Sequence, residues 1–182
     1  MKNRKQRIKQ IAQAGIFTGL AVSLGYLLFY IPNVELISST IFATGWLFGL
    51  PVGVCVGGIS FAIFSLFNPL GASMPPLFIA QVCGGIILGA AGSFLRVIMP
   101  ASHLFLKGLM MGICGGVLTL IYDVITNIGG FIAFTTNETF PAYLASGIIF
   151  SLLHIVSNFL IFSLLLFPIL NKAKGFVKME NL

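Results

Sequence analysis

The chain has 182 residues, of which 58% are hydrophobic and 8% charged, and its formal net charge at pH 7 is +6. A soluble domain carries about 25% charged residues because its surface has to be solvated, so this composition excludes a soluble globular protein. Uncharged runs of 25, 60 and 33 residues occupy 10–34, 36–95 and 139–171, and each exceeds the roughly 20 apolar residues of a membrane-spanning helix.

Prolines and polar clusters between the apolar runs predict where the helices end. Pro32 follows the first helix, Pro51 lies in the break between the second and third, and Pro69 lies in the turn before the fourth. We predict an all-α integral membrane protein with a single domain, 1–182, and six transmembrane helices at about 10–30, 36–49, 52–67, 76–95, 104–128 and 142–170.

The predicted second helix, at about 21 Å, is shorter than the roughly 30 Å hydrocarbon core, so five spans have to be weighed against six. The positions of the basic residues decide between the two. With six spans, all ten Lys and Arg residues lie on one side of the membrane. Merging 36–67 into one span would place the C-terminal lysines opposite the N-terminal basic cluster, which the positive-inside rule disfavours. Six spans with both termini in the cytoplasm are therefore predicted.

The first predicted helix carries small residues in two adjacent rows. One row contains Ala14 and Thr18 and continues to Gly25, and the other contains Gly15 and Gly19. Small residues four positions apart let two membrane helices approach closely. The pattern fits either a contact within the bundle or a surface for a partner protein.

The fifth predicted helix contains the densest polar patch, formed by Tyr122, Asp123, Thr126 and Asn127. The last three are spaced i, i+3 and i+4, so they share one helical face. An ionisable residue within a span costs roughly 2.5 to 3.5 kcal/mol on insertion scales and indicates a functional site. The patch is therefore predicted to bind a ligand; the alternative is a carboxylate that reaches the interface or caps a neighbouring helix.

The sixth predicted helix repeats this spacing with His154, Ser157 and Asn158. At 1.5 Å per residue, His154 lies near the middle of the membrane. It either lines a cavity or is hydrogen-bonded to a neighbouring carbonyl group. No second histidine lies at metal-ligand spacing, so no metal site is predicted.

Further polar residues lie toward the same, outer side of the membrane. Asn33 and Glu35 belong to the first connection, Glu138 belongs to the last, and Gln81 lies near the outer end of the fourth helix. Together with the patch on the fifth helix, they are predicted to form a pocket open to the outside. Few charges and many aromatic residues suit a small polar or heterocyclic ligand.

Four motifs accompany the basic N-terminus and the small-residue first helix: Ile-Pro-Asn-Val-Glu-Leu at 31–36, Gly-x-x-x-Gly-x-x-x-Gly at 45–53, Phe-Asn-Pro-Leu-Gly at 67–71 and Tyr-Asp-x-x-Thr-Asn at 122–127. With these features the chain resembles the substrate-binding S component of an energy-coupling factor (ECF) transporter. The resemblance extends over nearly the whole chain.

The resemblance implies a subunit of a bacterial importer, a multi-pass protein of the cell membrane that binds a vitamin or related micronutrient at high affinity. The implied partners are a membrane coupling subunit and two cassette-type ATPases. In the family an Ala-x-x-x-Ala pattern on the first helix contacts the coupling subunit, and the nearest matches here are Ala14-x-x-x-Thr18 and Gly15-x-x-x-Gly19. The resemblance also implies that the pocket is built from the first and fifth connections and the outer halves of the fourth, fifth and sixth helices. These segments contain Glu35, Gln81, Asp123, Asn127 and Glu138 here.

The chain contains no Walker-type phosphate loop and no known catalytic motif, so we predict no enzymatic activity and no cofactor. The net positive charge is assigned to membrane orientation rather than to nucleic acid. The alternative function is a self-sufficient secondary transporter or channel, driven by an ion gradient, with Asp123 or His154 as its proton site. The sequence has no obvious internal repeat of the kind found in many secondary transporters, which favours the importer subunit.

Overall fold

The computed structural model describes residues 2–99, 103–135, 137 and 139–179. These residues form helices and connections, with no strand among them. The helices are α1 (Lys2–Leu27), α2 (Ile37–Phe48), α3 (Leu50–Leu66), α4 (Pro75–Ile98), α5 (Leu104–Phe134) and α6 (Phe140–Leu160), which continues through a π-helical segment (Ile161–Leu166) into α7 (Phe167–Met179). Because α6, the π-helical segment and α7 form one continuous helix, the described chain has six helical rods, as predicted.

Four of these rods are long and apolar enough to cross a membrane: Arg4–Leu27, Pro75–Ile98, Leu104–Phe134 and Phe140–Ala173. The two shorter apolar helices are α2, with 12 residues, and α3, with 17. The predicted all-helical membrane fold is therefore confirmed.

Two helices extend beyond their predicted bounds. Helix α1 begins at Lys2 rather than near residue 10, because the basic segment contains good helix formers and no Pro or Gly. Helix α5 continues to Phe134 rather than ending near 128. The glycines at 129 and 130 mark close contacts and not a helix end, since a Cβ at Gly129 would lie 2.7 Å from Cβ of Ala80.

Glycines bring α3 and α4 into backbone contact. A Cβ at Gly57 would overlap the carbonyl oxygen of Gly85, and a Cβ at Gly89 would overlap the carbonyl oxygen of Gly53. Such contacts replace side-chain packing with direct van der Waals contact between helix backbones, as is common in membranes. The Gly-x-x-x-Gly motif at 45–53 belongs to this seam, and its middle residue, Gly49, turns the chain from α2 into α3 with a φ of 89°.

Helix α2 lies at the centre of the bundle. Nine of its 12 residues are buried, and it packs against α1, α3, α4 and the π-helical segment. The ring of Phe42 meets that of Phe162 at 5.1 Å in an edge-to-face arrangement. The Nη1 group of Arg96 donates to the carbonyl oxygens of Trp46 at 3.0 Å and Leu47 at 3.1 Å, and so supplies donors and positive charge at the end of α2.

The last rod keeps one face turned inward along its length. The buried residues on it are spaced by four: His154, Asn158, Phe162, Leu166 and Leu170. In a regular α-helix each four-residue step drifts by about 40°, because 3.6 residues complete a turn. The π-helical segment holds more residues per turn and offsets this drift. The half that precedes the segment, α6, therefore presents His154 and Asn158 to the same side on which the half that follows it packs into the core.

Candidate functional site

The centre of the site is a buried carboxylate and imidazole pair between α5 and α6. Nδ1 of His154 lies 2.7 Å from Oδ1 of Asp123, and the two residues are 9% and 8% exposed. The bond joins an imidazole nitrogen, which can donate, to a carboxyl oxygen, which can accept. This short bond fixes the orientation of the imidazole ring.

The first connection brings Glu35 to the other side of the imidazole. Oε1 of Glu35 lies 3.6 Å from Nε2 of His154 and accepts a 3.4 Å hydrogen bond from Nδ2 of Asn158. Oε2 accepts from the backbone N–H of Ser38, at 2.9 Å, in the first turn of α2. Burial of Glu35 raises the pKa of its carboxyl group, but the nearby imidazole of His154 and the hydrogen bonds from Ser38 outweigh burial and hold this pKa below its ordinary value.

A backbone carbonyl group of the same connection accepts a hydrogen bond from α6. Oγ of Ser157 donates to the carbonyl oxygen of Asn33 at 2.6 Å, and Asn33 adopts a left-handed conformation with a φ of 59°. Asparagine is one of the few residues that adopt this conformation readily. Asn33 therefore contributes a turn and a carbonyl group, which place Glu35 over His154.

Tyr122 forms an aromatic wall beside the pair. Its ring lies 6.2 Å from that of His154 in an edge-to-face arrangement and 5.1 Å from the ring of Phe61. A Cβ at position 84 would overlap the ring of Tyr122, so Gly84 leaves the space that this ring occupies. Sequence reasoning missed Phe61 and Gly84, because neither is polar and nothing local to them indicates a site.

Thr126 and Asn127 form hydrogen bonds within α5. Oγ1 of Thr126 donates to the carbonyl oxygen of Tyr122 at 2.9 Å, and Nδ2 of Asn127 donates to that of Asp123 at 2.7 Å. Both residues lie on the predicted face. Their described hydrogen bonds are to their own helix and not to His154 or Glu35.

The described hydrogen bonds of Gln81 do not bring it to the Asp123 and His154 pair. Oε1 of Gln81 accepts from Oγ of Ser65 at 2.6 Å and from Oγ of Ser73 at 2.8 Å, so its carbonyl group ties the connection before α4 to the end of α3. Glu138 lies outside the described residues.

The site contains polar atoms that the described residues leave without a hydrogen-bond partner. They are Oδ2 of Asp123, Nε2 of His154 and Oδ1 of Asn158, and all three are buried. An unsatisfied buried polar group costs about 1 to 3 kcal/mol. Three such atoms on adjoining side chains indicate a site that is completed by a bound molecule.

The two small-residue rows of α1 face in different directions. Thr18 is buried and Ala14 packs against the core. The row of Gly15 and Gly19 is open, with no atom within 4 Å of a Cβ at either position. The first row is therefore used within the bundle, and the second forms part of the outer surface beside exposed Ile16.

The fold is all-helical and membrane-spanning, and its buried polar site lies between two helices and one connection. Some polar atoms of this site have no hydrogen-bond partner among the described residues. These features define a membrane-embedded binding protein. The family model of the ECF-type riboflavin transporter S component matches residues 5–174. The chain belongs to this family of substrate-binding, non-catalytic transporter subunits, which confirms the predicted ECF S component. No curated protein and no solved structure matches it significantly.

Proposed function

We propose that this chain is the high-affinity substrate-binding subunit of an ATP-driven importer in a bacterial cell membrane, and that its substrate is riboflavin or a closely related vitamin. The observation that carries the proposal is the group formed by Asp123, His154 and Asn158, whose buried atoms without a hydrogen-bond partner among the described residues call for a ligand. The family to which the chain belongs supports riboflavin as the first candidate.

The proposal places the whole chain, 1–182, in one membrane domain with both termini on the cytoplasmic side. The positive-inside rule supports this orientation, because all ten Lys and Arg residues then lie on one side. The polar site is then reached from outside the cell. The connection that carries Asn33 and Glu35 lies on the same side as the site.

We assign the partner surface to the row of Gly15 and Gly19. A membrane coupling subunit with two cassette-type ATPases would supply the energy, and one of its helices would pack on this row. The open space at both glycines and the exposed side chain of Ile16 beside them support this assignment. Glycines on an open helix face permit close approach of a second helix.

Replacing both glycines with leucine, Gly15→Leu together with Gly19→Leu, is expected to abolish association with the coupling subunit and to leave ligand affinity within threefold of wild type. The two side chains would project into space that no other described residue occupies, so the fold is preserved while close approach of a partner helix is blocked. Co-purification and riboflavin titration measure the two effects. Gly147→Leu is the matched control, since a Cβ at Gly147 also meets no atom within 4 Å.

The experiment that tests the function is purification of the tagged chain in mild detergent from its own host, with mass spectrometry of retained proteins and small molecules. We expect two cassette-type ATPases, a membrane coupling subunit and a flavin. Recovery of the chain alone from fresh membranes, with uptake that follows an ion gradient, would instead establish a self-sufficient transporter.

A further inference from the structure

We propose that the basic end of α1, which the proposed orientation places in the cytoplasm, binds the phosphate groups of anionic phospholipids at the bilayer surface. The binding surface, called the basic collar here, consists of the exposed side chains of Arg4, Lys5 and Arg7. The collar is separate from the polar site of Asp123 and His154. Its interaction with lipid is therefore independent of the substrate that this site binds.

Helix α1 extends past the part of the bundle against which it packs. Its buried residues are Thr18, Ala21 and Gly25, whereas every residue of 4–9 is exposed. The exposed turns are helical nevertheless, because α1 begins at Lys2. This segment therefore presents its side chains to the surroundings of the protein rather than to α2 and α3, on which the rest of α1 packs.

No acidic side chain among the described residues balances the charge of the collar. The acidic residues that the structure describes are Glu35 and Asp123, and both lie beside His154 in the polar site. The three cationic groups of the collar form no hydrogen bond or ion pair with another residue in the described part of the chain. Their counter-charge therefore comes from outside this part of the chain.

The collar lies directly beside the apolar part of α1. The segment Arg4–Leu27 is long and apolar enough to cross a membrane. Ile8 and Ile11, which follow the collar, are 58% and 71% exposed. Arg7 precedes Ile11 by about 6 Å along the helix axis, which is within the roughly 8 Å Debye length at physiological ionic strength. Cationic side chains next to exposed apolar ones are typical of a helix that enters the headgroup region.

The distribution of charge around α1 favours lipid over a partner protein. Lys5 and Arg7 lie on nearly opposite sides of the helix, since two residues at about 100° each turn by about 200°. A protein helix that packs on one face, such as the row of Gly15 and Gly19, would reach only part of the collar. Phospholipid headgroups surround a membrane helix on all sides, and each cation near the surface strengthens the attraction to anionic lipid about fivefold.

The test measures which lipids contact the purified full-length chain in vesicles of equal parts of phosphatidylglycerol and phosphatidylcholine. Electron paramagnetic resonance of spin-labelled lipids gives the relative affinity of the protein for the two. Wild type is expected to prefer phosphatidylglycerol about threefold at low salt, because the effect of the collar is averaged over all lipids around the bundle. The preference is expected to disappear in 1 M NaCl, where the Debye length is about 3 Å.

The double variant Arg4→Gln with Lys5→Gln removes two charges from the collar and leaves Arg7 to maintain the orientation in the membrane. Lys107→Gln with Lys172→Gln is the matched control, since it removes two charges from other helices. The collar variant is expected to lose at least about half of the preference for phosphatidylglycerol, and the control much less. Equal preferences in the two variants, or no preference in wild type, would overturn the proposal.

Co-purification with the coupling subunit distinguishes lipid from an acidic protein surface. If the collar variant keeps the lipid preference of wild type but no longer retains the coupling subunit and ATPases, the collar binds a protein and the proposal is wrong. If it loses the lipid preference and still retains these partners, the collar binds lipid. Elution of each variant as a monomer in detergent confirms that the bundle is folded.

Discussion

Gly57→Ala is expected to destabilise the folded bundle by about 3 kcal/mol, at the upper end of the cost of overpacking. The added Cβ would overlap the carbonyl oxygen of Gly85. A backbone oxygen within a helix cannot rotate away as a side chain can, so α3 and α4 would have to separate along their seam. Thermal unfolding in detergent, followed by size-exclusion chromatography of the remaining monomer, measures the effect.

Gly58→Ala is the matched control on the same helix. A Cβ at Gly58 would make ordinary contact with the side chain of Ile86, at 3.4 Å. Alanine also has a higher helix propensity than glycine by about 1 kcal/mol. The control is therefore expected to be as stable as wild type or slightly more stable. Equal stability of the two variants would contradict the backbone contact between α3 and α4.

Asp123→Ala is expected to reduce riboflavin affinity about 100-fold, or about 2.7 kcal/mol, and to leave membrane insertion intact. Loss of a hydrogen bond to a charged group costs about 1.5 to 3 kcal/mol. The variant removes the unpaired oxygen Oδ2 and also frees Nδ1 of His154, which Asp123 holds at 2.7 Å. Insertion does not suffer, because a carboxylate within a span is itself unfavourable. Fluorescence titration gives the affinity, and the yield of monomer gives the insertion.

Thr119→Ala serves as the control for this substitution. Thr119 precedes Asp123 by one turn, is also buried, and donates from Oγ1 to the carbonyl oxygen of Gly115 at 2.8 Å within α5. Its removal is expected to leave riboflavin affinity unchanged. If Asp123→Ala binds riboflavin as tightly as this control does, the pair with His154 is structural and the ligand lies elsewhere.

The sequence predicted the helices and the polar faces because both follow from local periodicity. It placed Asp123 and Asn127 on one face of a helix and His154 and Asn158 on one face of another. Helical spacing does not determine which polar side chains bond to their own helix. Thus Asn127 donates to its own backbone, whereas Asp123 reaches a residue 31 positions away.

The remaining differences arise from contacts between distant segments. The position of Gln81 near one end of the fourth helix predicts that it joins the pocket. In the structure its side-chain carbonyl group accepts hydrogen bonds from Ser65 and Ser73. The two rows of α1 looked equivalent in sequence, since both consist of small residues. Only the packing of α1 on α2 and α3 distinguishes the buried row of Thr18 from the open row of Gly15.

The π-helical segment Ile161–Leu166 determines where the last rod can change length. A π-helical turn contains an inserted residue relative to regular α hydrogen bonding. Deleting one residue there would restore α hydrogen bonding and leave the flanking halves on their present faces. Deleting one residue between His154 and the segment would rotate the preceding part of α6 by about 100° relative to the rest of the rod. This rotation would carry the imidazole away from Asp123. Within this rod, the deletion of one residue is thus compatible with the packing of both halves in the six-residue π-helical segment.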